Sequence, residues 1–117
     1  MEPIPTLSNF ELMVMLAIIR IGDDSYGVSI SNEIEETTGT EVLLGSVYDT
    51  LARLEQKGLI SSAIGEATPE RGGRAKRCYR LEAVGERALQ ESAVTAKRIW
   101  DELSEALGKR WVKEAGR

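Results

Sequence analysis

The segment Arg71-Gly72-Gly73-Arg74-Ala75-Lys76-Arg77-Cys78-Tyr79-Arg80 constrains the fold more than any other stretch of the chain. Its two glycines permit a tight reversal, and the residues after them alternate as a strand does. A strand needs a neighbour, and residues 59–65 are also strand-like, joined to 74–81 by the polar loop 66–73. The pair reads as a β-hairpin with a basic tip. The ten residues hold five basic side chains and no acidic one. The whole chain carries 15 Lys plus Arg against 19 Asp plus Glu, a net of −4, and without this segment the balance is 10 against 19, a net of −9. Positive charge gathered at one hairpin of an acidic chain is the electrostatic footprint of a polyanion partner, of which duplex DNA is the commonest. A solvated basic loop is the bland alternative, so the residues before the hairpin have to decide.

Those residues are organised as helices. Ser8 and Glu11 fit a capping box that opens a helix running to about Ile21, with Gly22-Asp23-Asp24 closing it. Phe10, Leu12, Met13, Val14, Met15, Leu16, Ile18 and Ile19 leave that helix no polar face, so it has to be covered nearly all round. A chain of 117 residues has little to cover it with, which makes a second subunit the expected lid. Asp24 or Ser25 caps a second helix that runs to about Thr38 and stops at Gly39. Its inner face holds Ile30 and Ile34, while Glu33, Glu35 and Glu36 form a solvated outer face. Residues 41–43 are candidates for a short strand. A third helix spans about Gly45 to Lys57 and ends at Gly58. After the hairpin, a long last helix runs from about Ala83 to Leu107, with Gly108 as its stop. The order is helix, helix, helix, strand, strand, helix. The expected fold is therefore mainly α with a small β-hairpin: a winged helix-turn-helix domain over residues 1–82 and a long C-terminal dimerisation helix over 83–117, in one compact unit.

The third helix has two stripes. Val47, Leu51 and Leu54 recur at helical spacing and face the core. Ser46, Thr50, Arg53 and Lys57 form the opposite line, hydroxyls and cations without a carboxylate. Such a line suits a major groove, where Arg bonds guanine bidentately and Ser or Thr bonds base edges or phosphate. Asp49 and Glu55 sit off it. Tyr48 borders both stripes and is open to a core role or a phosphate contact. In the hairpin, Arg77, Tyr79 and Leu81 share one face, and Lys76, Cys78 and Arg80 share the other. Cations beside Cys78 favour a reactive thiol, although an incidental thiol is the heavier reading.

In the last helix Leu89, Ala93, Ala96, Trp100, Leu103 and Leu107 follow heptad spacing. With Phe10 of the first helix they are the expected dimer interface, through a two-fold mate. Ala93 and Ala96 lie beside Trp100. That arrangement can leave a pocket for a small apolar or aromatic effector, or it can be a packed anchor.

Composition excludes other classes. No run of apolar residues is long enough to span a membrane, and residues 1–5 lack the basic region of a signal peptide. One cysteine, Cys78, and no disulfide partner point to the cytoplasm. The absence of histidine removes the commonest general base and metal ligand. No nucleophile elbow, phosphate loop or metal-ligand spacing occurs, so no catalytic residue, metal or cofactor is expected.

Gly45-Ser46-Val47-Tyr48-Asp49-Thr50-Leu51-Ala52-Arg53-Leu54-Glu55-Gln56-Lys57-Gly58-Leu59-Ile60 resembles the third-helix signature of the PadR-like transcriptional regulators. Residues 71–81 resemble their wing, Tyr26-Gly27 their second-helix opening, and Leu81 to Gly85 the entry to their last helix. The likeness spans about residues 7 to 107, and the length is that of the short subgroup with a single C-terminal helix. The resemblance implies a homodimeric repressor on a palindromic operator of double-stranded DNA, released by a small molecule. The implied DNA contacts are Ser46, Tyr48, Thr50, Arg53 and Lys57 with Arg71, Gly73, Arg74, Lys76 and Arg77 of the wing, and Tyr48 is drawn towards phosphate. An effector pocket would involve Ala93, Ala96 and Trp100. The aromatic that lines such a pocket in some short members falls at Ala93 here. Cys78 stands for the usual wing tyrosine, and Glu82 for the usual threonine. The competing class is a winged-helix module that binds a protein through its Leu- and Trp-rich surface and does not read DNA sequence.

Overall fold

The computed structural model describes residues 6–65 and 76–115, with side chains up to residue 109. Among these residues the order is α1 (Asn9–Ile21), a 3-10 turn (Gly22–Asp24), α2 (Gly27–Thr38), α3 (Leu44–Gln56), β1 (Ile60–Ile64), β2 (Arg77–Leu81) and α4 (Ala83–Ala115). This is the winged helix-turn-helix arrangement with a long terminal helix.

Local chemistry sets each helix end. Ser8 Oγ accepts the Glu11 N–H at 3.1 Å, and Glu11 Oε1 accepts the Ser8 N–H at 2.9 Å, which completes the expected capping box. The cap of α2 differs from expectation. Asp24 lies in the 3-10 turn, and the buried Ser25 hydroxyl turns back to the carbonyls of Ile18 and Gly22. The residue before α2 is Tyr26, whose N–H donates to Ser29 Oγ at 2.9 Å. Gly39 closes α2 in the left-handed conformation, φ 72°. No strand forms at residues 41–43, where the Val42 N–H is taken by the Glu35 carboxylate at 3.2 Å. Glu35 is thus a turn fastener, and Glu33 meets Arg20 at 3.5 Å, so only Glu36 remains from the expected solvated trio.

A Schellman motif ends α3. Gly58 has φ 76°, its N–H reaches the Glu55 carbonyl, and the Leu59 N–H reaches the Leu54 carbonyl at 3.0 Å. Leu54 and Leu59 are both fully buried, so the reversal that launches β1 is fixed by backbone and core together. β1 and β2 are antiparallel, with Ile60 opposite Leu81, Ser62 opposite Tyr79 and Ile64 opposite Arg77. The strands are shorter than the sequence suggests. Arg74 and Ala75 of the expected second strand lie outside the described residues.

The core joins Val14, Met15 and Ile18 of α1, Ile30 and Ile34 of α2, and Val47, Leu51 and Leu54 of α3, closed by Leu59, Ile60, Tyr79 and Ala88. Ser25 ties it to the hairpin by accepting the Tyr79 N–H at 2.8 Å. The base of α4 is set by backbone rather than by a side-chain cap: the Glu82 N–H donates to the Leu59 carbonyl at 2.9 Å. Gly85 crosses the same carbonyl so closely that a Cβ there would overlap it.

α4 then leaves the core. Ala88 is fully buried and Leu89 half-buried, but every described residue from Ala93 onward is exposed. The radius of gyration is 18.0 Å and the longest extent 65 Å, against about 13 Å for the radius of a compact chain of this length. Gly108 does not stop the helix, which continues to Ala115. Glycine in a helix costs only about 1 kcal/mol, and a Glu105–Lys109 ion pair at 3.0 Å spans that turn.

Candidate nucleic-acid interface

On α3 the buried side is Val47, Leu51, Leu54 and also Thr50, which is only 2% exposed. Thr50 is therefore not on an open reading face. Its Oγ1 accepts Arg53 Nη2 at 3.2 Å and so holds the guanidinium against the helix. Lys57 is placed differently as well: its Nζ meets Glu11 Oε2 at 2.9 Å, bridging α3 to the start of α1. The exposed positions of α3 include Ser46, Tyr48, Asp49, Ala52, Arg53, Glu55 and Gln56. Ser46, Asp49 and Arg53 surround one shallow hollow with Phe10 and Thr50. Phe10 thus lies half-buried on the α3 side of α1.

Burial raises the cost of charging Glu11, but the Ser8 N–H, the Lys57 ammonium and the Ser8 hydroxyl more than offset it. The carboxyl is held below its usual pKa. A lowered carboxylate pKa stabilises the fold above the unfolded value, and that share is lost as pH falls through the folded value. Glu11→Ala is expected to lose roughly 1–2 kcal/mol at pH 7, the scale of a cap plus a charged hydrogen bond. In urea melts the gap from the parent chain should narrow towards pH 3. An equal gap at both values would rule out the ionised carboxylate as the source.

Tyr48 was open between core and phosphate. Its ring lies over Gly27, so tightly that a Cβ on Gly27 would overlap the ring tip. Even so, Tyr48 is 46% exposed, with its hydroxyl end at the N-terminal turn of α2. The neighbouring Tyr26 ring carries Lys76 Nζ at 5.0 Å from its centroid, a cation–π contact. Tyr26-Gly27 therefore joins the α3 surface to the residue that leads into β2 from the hairpin loop. The sequence marked this dipeptide only as a helix opening, and the absent Cβ was the available signal for a close approach.

Further along the hairpin, Arg77 Nη1 donates to Ser62 Oγ at 2.9 Å, and Ser62 Oγ donates to the Glu55 carboxylate at 2.8 Å. Glu55 thereby anchors the wing to α3, and Arg77 stays exposed at its end. Tyr79 is buried as expected. Burial, opposed by Arg77 and reinforced by Glu55 and Tyr48, holds its phenol above the ordinary pKa. Cys78 is half-buried and Arg80 exposed. The expected wing contacts Arg71, Gly73 and Arg74 lie outside the described residues.

Of the expected interface on α4, Leu89 is half-buried, while Ala93, Ala96, Trp100, Leu103 and Leu107 stand open. Trp100 is 66% exposed, so in a single chain it encloses nothing with Ala93 and Ala96. Among the described residues no helix is long and apolar enough to cross a membrane, and no group of acidic or thiol side chains is placed to hold a metal.

Gly27→Ala separates the interface from the fold. The clash is with the tip of a half-exposed side chain that can swing away, and alanine gains up to about 1 kcal/mol over glycine in a helix. Stability should stay within about 1 kcal/mol of the parent, while the displaced Tyr48 weakens DNA binding. Parallel urea melts and binding titrations check this, and unchanged affinity would show that Tyr48 has no part in binding.

The fold and the surface shared by α3 and the wing define a DNA-binding regulator of transcription. The chain belongs to the PadR-like family: the family model described as "Transcriptional regulator PadR-like family" matches residues 15–91. This is a family of regulators and not of enzymes. Among solved structures, a PadR-like transcriptional regulator from Bacillus cereus shares 21% identity at a TM-score of 0.71, over 84% of this chain and 90% of that one. A transcriptional regulator from Clostridium thermocellum shares 26% at 0.63, over 85% and 89%. The Orc1 protein of Aeropyrum pernix, solved in complex with DNA, shares 24% at 0.59, over 78% of this chain and 26% of that one. No curated protein matches the chain.

Proposed function

We propose that this regulator is a cytoplasmic repressor that binds a palindromic operator as a homodimer, with residues 1–82 as the DNA-binding unit and 83–117 as the dimerisation helix. The observation that carries it is the junction at Tyr26-Gly27. Tyr48 of α3 rests on one residue and Lys76 of the wing on the other, so the reading helix and the wing meet the same duplex. α3 enters the major groove, with Arg53 bonding guanine and Ser46 a base edge or phosphate. Asp49 beside them can accept from cytosine. Tyr48 donates to phosphate. The wing, with Arg71, Gly73, Arg74, Lys76 and Arg77, runs along the backbone. Thr50 and Lys57 support this surface by fixing Arg53 and the α1–α3 seam. The open apolar row on α4 supplies the second copy. A small apolar or aromatic effector that binds one dimer geometry better than the other would release the operator.

Selection of bound duplexes from a random library at near-physiological salt tests the reading. The expected product is an inverted repeat with half-sites about 34 Å apart. Arg53→Ala should cost ~1–3 kcal/mol on the selected site and flatten its base preference, while Lys76→Ala should weaken all sequences alike. Equal losses on selected and random DNA for both variants would remove Arg53 from readout. Recovery of no DNA at all would overturn the proposal.

A further inference from the structure

We infer that Leu43, at the entrance to α3, seats on the 5-methyl group of a thymine in the major groove, so that each half-site is read in part by an apolar contact. This rests on the reading of α3 as the groove helix and adds a base and the side chain that selects it.

Among the described residues Leu43 is the most exposed large apolar side chain, at 77%. A leucine on a surface is ordinary in itself, but this one breaks a local rule. It occupies the N-cap of α3, where no side chain caps the helix. Ser, Thr, Asp and Asn are strongly preferred at that position, and leucine is among the poorest choices. α1, by contrast, opens on Ser8 with a complete capping box. Leucine at position 43 thus gains neither burial nor a cap. Departures of this kind from local rules are expected at functional sites.

The side chain is open, but its backbone is held on both sides. The Val42 N–H donates to Glu35 Oε1 at 3.2 Å. The Leu43 carbonyl accepts the Ser46 and Val47 N–H groups at 3.0 and 3.2 Å. Val42 is half-buried and Val47 fully buried, so the core fixes the chain before and after the leucine. Leu44 extends the apolar edge, half-exposed and one turn before Tyr48 on the same side of α3. Gly45 has open space where a Cβ would stand, so nothing bulky beside the leucines keeps the start of the helix away from a groove.

Position and chemistry select the occupant. A recognition helix in a major groove contacts base edges with its N-terminal residues, and Leu43 precedes Ser46 by three positions on a surface continuous with the candidate interface. No charged side chain lies between Leu43 and Asp49. Thymine carries an apolar group, its 5-methyl, into the major groove, and apolar side chains read that group. A leucine cannot bond phosphate or the donors and acceptors of the other base edges. Against those it would desolvate polar groups and return nothing.

The probe is the duplex selected from the random library, titrated with the full chain by fluorescence anisotropy. Each thymine is replaced in turn, in both half-sites together, by deoxyuridine, which lacks only the 5-methyl. At one position the exchange should weaken binding by about fourfold per half-site, the scale of one buried methyl. Leu43→Ala should bind the thymine and deoxyuridine duplexes alike. Leu43→Ser should also bind them alike while its urea midpoint rises, since serine supplies the missing cap, so its weaker binding cannot come from a damaged fold. A selected half-site without thymine overturns the inference. So does a duplex in which no exchange matters, or a methyl dependence that persists in Leu43→Ala. Each of these leaves a sequence-reading regulator standing. Recovery of duplexes without a common sequence, or of none, overturns both readings.

Discussion

Gly85→Ala is expected to destabilise the folded chain by about 2–4 kcal/mol, although alanine is the better helix former by up to about 1 kcal/mol. The reason is a contact with backbone. The added methyl would overlap the Leu59 carbonyl oxygen, which already accepts the Glu82 N–H at 2.9 Å. Leu59 is fully buried and fixed by the Schellman turn, so that carbonyl cannot retreat. α4 would have to lift instead, breaking the Glu82 hydrogen bond and drawing Ala88 out of the core. The contrast with Gly27→Ala is instructive, because there a side-chain tip can swing aside. Urea melts followed by far-UV circular dichroism check the value. A Gly85→Ala variant as stable as its parent would mean that α4 does not cross the hairpin at this distance.

The fold was legible because its signals are local and independent. Ser8 and Glu11 specify a cap by themselves, Gly39 and Gly58 terminate helices by positive φ, and Val47, Leu51 and Leu54 mark the inner side of α3 at helical spacing. Errors occurred where an end depends on what the backbone meets in three dimensions. Asp24 and Ser25 are ordinary capping residues, but the 3-10 turn uses Ser25 to close α1 and leaves the α2 entry to Tyr26 and Ser29. Gly108 has the composition of a stop, yet nothing there takes up the terminal carbonyls better than the continuing helix does. The candidate strand at 41–43 fails because Glu35 claims the Val42 N–H.

The interface was legible in composition and less so in geometry. A stripe of Ser46, Thr50, Arg53 and Lys57 assumes that α3 is exposed over half its circumference. Docking against α1 takes more than that. Thr50 turns inward, and Lys57 pairs with Glu11, 46 positions earlier, a partner that no local periodicity can reveal. Glu55, read as a bystander, holds the wing through Ser62 and Arg77. Tyr48 was ambiguous in sequence because both roles are partly true: its ring covers Gly27 while nearly half of it stays open. The exposed row on α4 was visible as spacing, and the structure adds that the core leaves it uncovered.

Operator affinity is expected to fall by roughly 10³–10⁵ between 50 and 200 mM salt, if about 6–10 phosphates are neutralised. The number follows from where the cations are. Each wing segment carries five, so the proposed dimer would bring ten, while Lys57 is committed to Glu11 and Arg77 is shared with Ser62. The rest of each chain has a net charge of −9 and repels the same duplex. Salt screens that repulsion too, with a Debye length of about 10 Å at 0.1 M, so the measured slope should lie below the count of ten. Arg71→Gln with Arg74→Gln removes four contacts from a dimer and should flatten the log–log slope by about 3–4, at roughly 0.9 per phosphate. Fluorescence anisotropy across a salt series measures both chains. If the double variant keeps the parent slope, the wing does not neutralise phosphate, and the cations that do so have to be sought on α3, where Arg53 is the exposed candidate. If the parent slope is itself near zero, the acidic body dominates and the basic hairpin is not an electrostatic grip on DNA.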